Sequence, residues 1–307
     1  MKPNILKRMN DKYISEIWNI GFVNIDKQSI LENENLNIKW LKHNYKDRWF
    51  ADPFILSANS QEIVLLVEDY YLPKKKGRIS KLIIDRNNFK LLSCNVILEL
   101  ASHLSFPAIF RIGTDVYIYP ESSNDNNLII YKYNIKDNII ENSSILIKEP
   151  LTDAIITTEF NNFFIFSTKK PLQNKNILDI YSSNEFNGPY LFNYSYNFSD
   201  NCARNAGNLF YCNNKLIRPA QDCNTGYGKG IVLQEICYAN NKFVFKELKR
   251  FYPNDHKWNL GLHTFNVYEN LIVTDGRKYY TPSIRKIIIK IKQLAFIKYF
   301  YKKFKNF

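Results

Sequence analysis

One short pattern recurs five times along this chain, and that recurrence constrains its fold more tightly than any other property. The first copy begins at WFADPF (49–54), where Asp52-Pro53 opens an apolar run; a polar turn follows, and a second apolar run ends in Glu68 and Asp69. Later copies start at SFPAIF (105–110), TDAII (152–156), RNAGNLF (204–210) and GLHTFNVY (261–268). Their turns fall at 113–115, Asn161-Asn162, Asn213-Asn214 and Glu269-Asn270. Four of the five second runs close on acids, at Glu68-Asp69, Glu121, Gln221-Asp222 and Asp275. A period of roughly fifty residues is the mark of a repeat architecture. Each copy is a strand, a tight turn and a strand, with room for two more strands before the next. Four strands per repeat describe a propeller blade, so the chain is predicted to be all-β, a five-bladed β-propeller. A blade cannot bury both faces without neighbours, which makes the five repeats one domain. With 45% hydrophobic and 15% aromatic residues, the chain has the material for a sheet-rich core.

The strands follow from period and punctuation. Residues 18–25 (WNIGFVNI) read as a strand that completes the fifth blade, because that blade runs out of chain near residue 280. Residues 26–48 read as an irregular connection anchored by Trp40 and Trp49. Blade one is expected over about 51–98, blade two over 103–147, blade three over 152–198 and blade four over 202–251. The Lys74-Lys75-Lys76 run is placed in a solvated turn of blade one. The organisation expected is a flexible basic lead over 1–12, a propeller over 13–282, and a separate segment over 283–307.

A formal net charge of +13 invites a nucleic-acid reading, but its placement argues against one. Ten basic residues and no acid lie from Gly276 onward, and without those ten the charge falls to +3. The body is nearly neutral and nucleic acid is not an expected partner. The last stretch, SIRKIIIKIKQLAFIKYFYKKFKNF (283–307), mixes Lys and Arg with large apolar residues in the manner of a basic amphipathic helix. Such a segment is expected to lie on an anionic membrane surface; packing against the propeller or a partner is the alternative. Five Cys, an odd number without zinc-ribbon spacing, argue for buried thiols rather than disulfides or a metal site. The first residues lack the apolar core of a signal peptide and no run is long and apolar enough to span a bilayer. The expected location is the cytoplasm, either free or peripheral on the inner face of the membrane.

Propeller geometry turns the repeat into a site. The first strand of each blade is innermost and the second returns antiparallel beside it, so the start of one and the end of the other meet on one face of the disc. That gathers Asp52 with Glu68 and Asp69, His103 with Glu121, and Asp153 from the third blade. It adds Arg204 and Asn205 with Gln221 and Asp222, then His263 with Asp275. Asp and Asn at strand ends also cap backbone amides, so any single member has a structural explanation as well. Many polar groups converging on one concavity describe a ligand site, and this set suits a sugar. Carboxylates accept from hydroxyls, and Arg binds phosphate or carboxylate. No Gly-rich phosphate loop and no Asp-x-Asp motif is present, and no cofactor is identified.

Six blocks carry a resemblance. ADPF (51–54), VEDY with KGRIS (67–70 and 76–80), HLSFP (103–107), YPESS (119–123), IRPAQDC (217–223) and GLHTFN (261–266) occur in order across nearly all of 18–280. They resemble a propeller family named for the N-terminal domain of plant glucosamine inositolphosphorylceramide transferase. Its bacterial members look like parts of cell-surface polysaccharide assembly. The resemblance implies five blades related to arabinanase-like and invertase-like glycosidases. Those enzymes take a base from the first blade, a supporting Asp from the third and a proton donor from the fourth. Asp52 matches the first and Asp153 the second, whereas the fourth blade opens with Cys202-Ala203-Arg204-Asn205 and offers no carboxylate. Glu121 or Asp222 is left to stand in as acid for hydrolysis, while Arg204 suits a phosphate-bearing donor such as a nucleotide sugar. The expected function is therefore glycosyltransferase-type. A glycosidase-like hydrolase and a non-catalytic carbohydrate-binding module that positions a glycan for a partner enzyme remain the alternatives. Sugar, acceptor, linkage and oligomeric state stay open at this stage.

Overall fold

A computed structural model describes residues 15–280, which form five four-stranded antiparallel sheets. The expectations for 1–12 and 283–307 lie outside the described residues. Blade one is β1–β4 (Arg48–Ala58, Glu62–Tyr71, Lys76–Asp85, Leu91–Leu98). Blade two is β5–β8 (Ser105–Ile112, Asp115–Glu121, Leu128–Asn134, Ile139–Ile147) and blade three β9–β12 (Leu151–Thr157, Phe163–Lys169, Ile177–Ser183, Leu191–Asn197). Blade four is β13–β16 (Phe210–Cys212, Lys215–Asp222, Gly230–Ala239, Lys242–Phe251). Blade five takes β17 (Phe265–Tyr268) and β18 (Leu271–Tyr280) from the end of the described chain. Its outer two strands, β19 (Ser15–Asn24) and β20 (Lys39–Trp40), come from the beginning. The ring closes by joining the two ends within one sheet, as the WNIGFVNI reading required. The connection over 26–48 is more ordered than its polar composition implies. It holds a 3-10 turn (Lys27–Glu32) capped by Asp26 and supplies β20, while Trp40 packs on Trp258 with ring centroids 5.5 Å apart.

Residues Trp18–Gly276 make one compact unit. Its core lies between blades, and strand alternation decides which neighbour each side chain meets. In β2, Leu65 and Val67 pack with Ile20, Phe22, Leu271 and Val273 of blade five, whereas Leu66 packs toward blade two. In β10, Phe164 and Phe166 face Leu216, Ile236 and Phe243 of blade four, and Ile165 turns the other way. Strands buried on both faces read as unbroken apolar runs, which is why IVLLV and FFIF are not alternating.

Asn-rich turns close the hairpins. Asn213 and Asn214 have φ of 49° and 59°, and Asn240 and Asn241 have 53° and 60°, the left-handed pairs that two-residue hairpins demand. The first strands of blades four and five are shorter than the RNAGNLF and GLHTFNVY runs. Residues 204–209 touch the ladder only through an isolated Asn205–Ala220 bridge, and β17 begins at Phe265. In both places side chains take up part of the backbone: Asn266 accepts from the Asn208 amide, Gln221 donates to the Asn205 carbonyl, and Asp275 accepts from the amides of His263 and Thr264.

Candidate functional site

A single local device opens the first strand of blades one, two and three. The register between first and second strand slips by one residue after Ala51, Ser105 and Thr152. The residue at each slip is left-handed: Asp52 (φ 50°), Phe106 (φ 45°) and Asp153 (φ 48°). A bulge at this position ordinarily takes glycine, so a side chain held there is strained backbone kept in place by its surroundings. The bulge re-aims Asp52 and Asp153 out of the ladder. In blade two the same place holds Phe106, whose amide donates to Asp52 Oδ2 at 3.0 Å.

Around Asp52 the fifth blade supplies a charged partner. His263 Nε2 lies 3.6 Å from Asp52 Oδ1, and the Thr264 hydroxyl donates to the same oxygen at 2.9 Å. The other ring nitrogen, Nδ1, is 2.6 Å from Asp275 Oδ2. Asp275 also accepts from the amides of His263, Thr264 and Asp52 at 3.0–3.1 Å. Burial opposes the His263 imidazolium, yet Asp275 and Asp52 outweigh it and leave the pKa raised. Burial pushes the Asp52 carboxyl up, with His263 pulling against it. Burial works against the Asp275 carboxylate too, but His263 and the amides hold it below its usual value. The ligating atoms of Asp52, His263 and Asp275 lie within 4.8 Å of one another, and among the described residues they alone form a group with metal-ligand spacing. The His263 ring already sits between the two carboxyl groups, so a cation would have to displace its contacts with them.

Glu68, at the end of β2, shares this mouth. Burial raises its pKa well above the ordinary value, and the charges of Asp52, Glu121, Asp275 and Asp153 add to the effect. Its Oε1 lies 3.5 Å from His103 Nε2, and His103 Nδ1 accepts from the Gly77 amide at 2.9 Å. That amide fixes the neutral tautomer with hydrogen on Nε2, consistent with a His103 pKa lowered first by burial. A Cβ on Gly77 would meet Glu68 Oε1 at 2.7 Å and His103 Cε1 at 2.8 Å, so only glycine lets these three approach.

Across the mouth, Asp153 holds Arg204. Arg204 Nε donates to Asp153 Oδ2 at 2.6 Å and Nη2 to Oδ1 at 3.3 Å, a two-pronged pair. Nη2 also reaches Glu121 Oε2 at 3.4 Å and Nη1 reaches Asn174 Oδ1 at 2.9 Å. Burial raises the Asp153 carboxyl and Arg204 pulls against it, leaving it at about 6. Arg204 spends most of its donors on the protein, which weakens its expected role as a phosphate holder. Gln221 donates to Asp153 Oδ2 at 2.7 Å, and the Asn205 amide reaches the Asp153 and Phe166 carbonyls.

Two of the expected acids face elsewhere. Asp69 follows Glu68 along β2 and so points to the opposite face, where its Oδ2 accepts from Arg48 (3.2 Å), Arg78 (3.1 Å) and Ser80 (2.9 Å). Asp222 stands next to Gln221 for the same reason, and accepts from Arg250 (2.8 Å) and Tyr252 (2.7 Å). The alternation that brings Glu68 and Gln221 in takes Asp69 and Asp222 out.

Residues the motif logic did not single out complete the mouth. Tyr227, in the loop between β14 and β15, lies under the Arg204 guanidinium (4.8 Å) and edge-on to His263 (5.4 Å). Burial raises its hydroxyl well above the ordinary value, against the pull of Arg204. Trp18 stacks on His263 at 3.8 Å and 13°. Gly228 (φ 55°) lets the Tyr227 loop approach, since a Cβ there would sit 2.7 Å from His263 Cβ. The TGYG turn (225–228) carried the only sequence hint of Tyr227, because two glycines mark a tight approach.

The arrangement is a five-bladed propeller with an acidic mouth. A thermostable family-43 glycoside hydrolase superposes with a TM-score of 0.53, covering 68% of this chain and 81% of that one at 9% identity, a likeness of fold. The chain belongs to the family described as glucosamine inositolphosphorylceramide transferase 1, N-terminal, whose model matches residues 38–260. Glucosamine inositolphosphorylceramide transferase 1 from Oryza sativa subsp. japonica is 27% identical over 204 residues, covering 62% of this chain and 27% of the relative. The protein of the same name from Arabidopsis thaliana is 30% identical over 152 residues, covering 46% and 19%. The chain thus spans about a quarter of the length of the curated relatives it matches.

Proposed function

We propose that this chain is a carbohydrate-active propeller of glycan biosynthesis, glycosyltransferase-type, whose mouth holds a hydroxyl-bearing sugar rather than a donor phosphate. The observation that carries the reading is the pair Asp52 and Glu68: a carboxyl 3.6 Å from the His263 ring, and a second carboxyl whose burial and acidic neighbours raise its pKa. Asp52 is the group that takes a proton from a sugar hydroxyl, and its raised pKa makes it a stronger base than an ordinary aspartate. Glu68 donates to the sugar while it keeps its proton. Asp153 and Arg204 shape the opposite wall, and Tyr227 offers a ring face beside them. Asp52, Asp153, Glu121 and Asp275 outweigh Arg204 and His263 here, which disfavours a phosphate and suits hydroxyls or the ammonium of an amino sugar. The relatives' name, with its glucosamine, supports an amino sugar as ligand.

A hydrolase is the second reading, favoured by Glu68, a carboxyl with a raised pKa on the strand beside Asp52, since glycoside cleavage uses a pair of carboxyl groups of which one gives a proton. Cell-surface polysaccharide assembly and membrane attachment through 283–307 belong to the proposal as well. The test is thermal melting with glucosamine, glucose, their uridine-diphosphate conjugates and free uridine diphosphate. A ligand that binds only the native state raises the melting temperature. The free amino sugar is expected to stabilise by several degrees and free uridine diphosphate not at all. Stabilisation by uridine diphosphate alone, or by no sugar, overturns the reading.

A further inference from the structure

Glu68 is not the last polar group on its face of blade one. Two residues further along β2, and therefore on the same face, stands Tyr70, with Trp49 as its direct cross-strand partner. The two rings lie parallel, 3° apart in plane with centroids 4.5 Å apart, and both are half-buried. Tyr70 also meets His103 at 6.1 Å, so the stack continues directly from the Glu68–His103 contact. Among the described residues, neither the Trp49 indole N–H nor the Tyr70 hydroxyl has a hydrogen-bond partner. A core pair would be expected to find partners for such groups. The neighbouring residues Arg48 and Tyr71 point the other way, where Arg48 and Arg78 cover the Tyr71 ring at 5.2 and 4.6 Å. The opposite face is thus covered by protein, and this one is left half-open.

We propose that Trp49 and Tyr70 form a second sugar subsite continuous with the mouth, so that the ligand is a glycan chain of at least two residues. This rests on the mouth being a sugar site. A pyranose presents one C–H face that lies flat on an aromatic ring, and hydroxyls at its edge that can accept from an indole N–H or exchange bonds with a phenol. A locked ring pair supplies that face without the entropy cost of ordering it on binding. Burial, and next to it the neighbouring Glu68, raise the pKa of the Tyr70 hydroxyl. The occupant is a saccharide rather than a peptide because the platform leads directly into the carboxyl and imidazole groups that hold the first sugar.

The test is calorimetric binding of two ladders, glucosamine to its β-1,4-linked tetramer and glucose to cellotetraose. The wild-type protein is expected to bind the dimer of the preferred ladder about ten- to a hundredfold tighter than the monomer, the worth of covering one aromatic face. Trp49→Ala should erase that gain and leave monomer affinity unchanged. Trp49→Phe, which keeps a stacking ring, should retain part of the gain, with melting curves showing that each variant is folded. Monomer binding with no gain on lengthening, or a gain that survives in folded Trp49→Ala, overturns the subsite and leaves the mouth intact. Failure of every ladder member to bind contradicts both readings together.

Discussion

His263 and Asp275 are joined twice: Nδ1 of the ring lies 2.6 Å from Asp275 Oδ2, and the His263 amide donates to Asp275 Oδ1 at 3.0 Å. The aspartate therefore fixes both the tautomer and the backbone of the residue that faces Asp52. The His263 pKa is raised, so its contribution to stability is complete below about 6.5, the ordinary histidine value, and fades as pH rises through the folded value. Asp275 is lowered, so its contribution is complete above about 3.9 and fades as pH falls through its folded value. The pair should stabilise most between about pH 4 and 6.5. Melting temperature is expected to decline above that window, and His263→Gln should lower the whole curve while flattening the decline. An unaltered slope in His263→Gln would count against an imidazolium at this position.

Glu68 and Asp69 should behave as opposites although they are adjacent. An unfolded chain releases the Glu68 proton near pH 4.3, whereas the folded mouth retains it, so Glu68 costs stability above that pH. Glu68→Gln is expected to raise stability at neutral pH by about 1 kcal/mol while weakening sugar binding. Asp69→Asn should cost about 3–5 kcal/mol, because Arg48 and the buried Arg78 lose their shared carboxylate. Sugar affinity of the folded Asp69 variant should be unchanged. Urea midpoints alongside calorimetric titrations separate the two outcomes.

The Asp153–Arg204 pair ties blade three to blade four, and breaking it from either side leaves a buried charge. Arg204→Ala is expected to cost about 3–5 kcal/mol. Adding Asp153→Asn to that background should recover part of the loss, since the orphaned carboxylate is then gone. The double-mutant cycle in urea measures the coupling. Simple additivity of the two costs would show that the contact contributes nothing specific.

The sequence carries its ladder plainly but not the facing of each residue. Strand boundaries for blades one to three follow the apolar runs within a few residues, because those strands are buried on both faces. Asp69 and Asp222 read as mouth residues in the sequence because a dipeptide such as Glu68-Asp69 looks like one acidic site until the pleat assigns its faces. The bulge at Asp52, which turns that side chain out of the ladder, leaves only Asp-Pro as its trace. Blade two hides the same bulge behind Phe106, with no polar residue to advertise it. Tyr227 and Trp18 are hidden in the sequence for a different reason. They reach the mouth from a loop and from the strand that closes the ring, so no repeat unit contains them.

The basic stretch over 283–307 supports a prediction from composition alone. Each Lys or Arg near an anionic surface contributes about 1 kcal/mol, and this stretch holds eight of them. Removing 283–307 should abolish pelleting with phosphatidylserine vesicles at low salt while leaving the melting curve of the propeller in place. Undiminished pelleting would assign the attachment to another surface.

Asp52 is the residue on which the functional account turns. Asp52→Asn keeps the size of the side chain and one acceptor oxygen, which can take the Phe106 amide while its NH2 turns to the Thr264 hydroxyl, but it cannot take a proton. In a deletion strain complemented with this variant, glycan assembly should fall by about 10²- to 10⁴-fold, the usual effect of removing a general base. The melting temperature of the purified variant should stay within a few degrees of the parent. Full complementation by folded Asp52→Asn would contradict a catalytic role and leave the mouth as a site that binds sugar without acting on it.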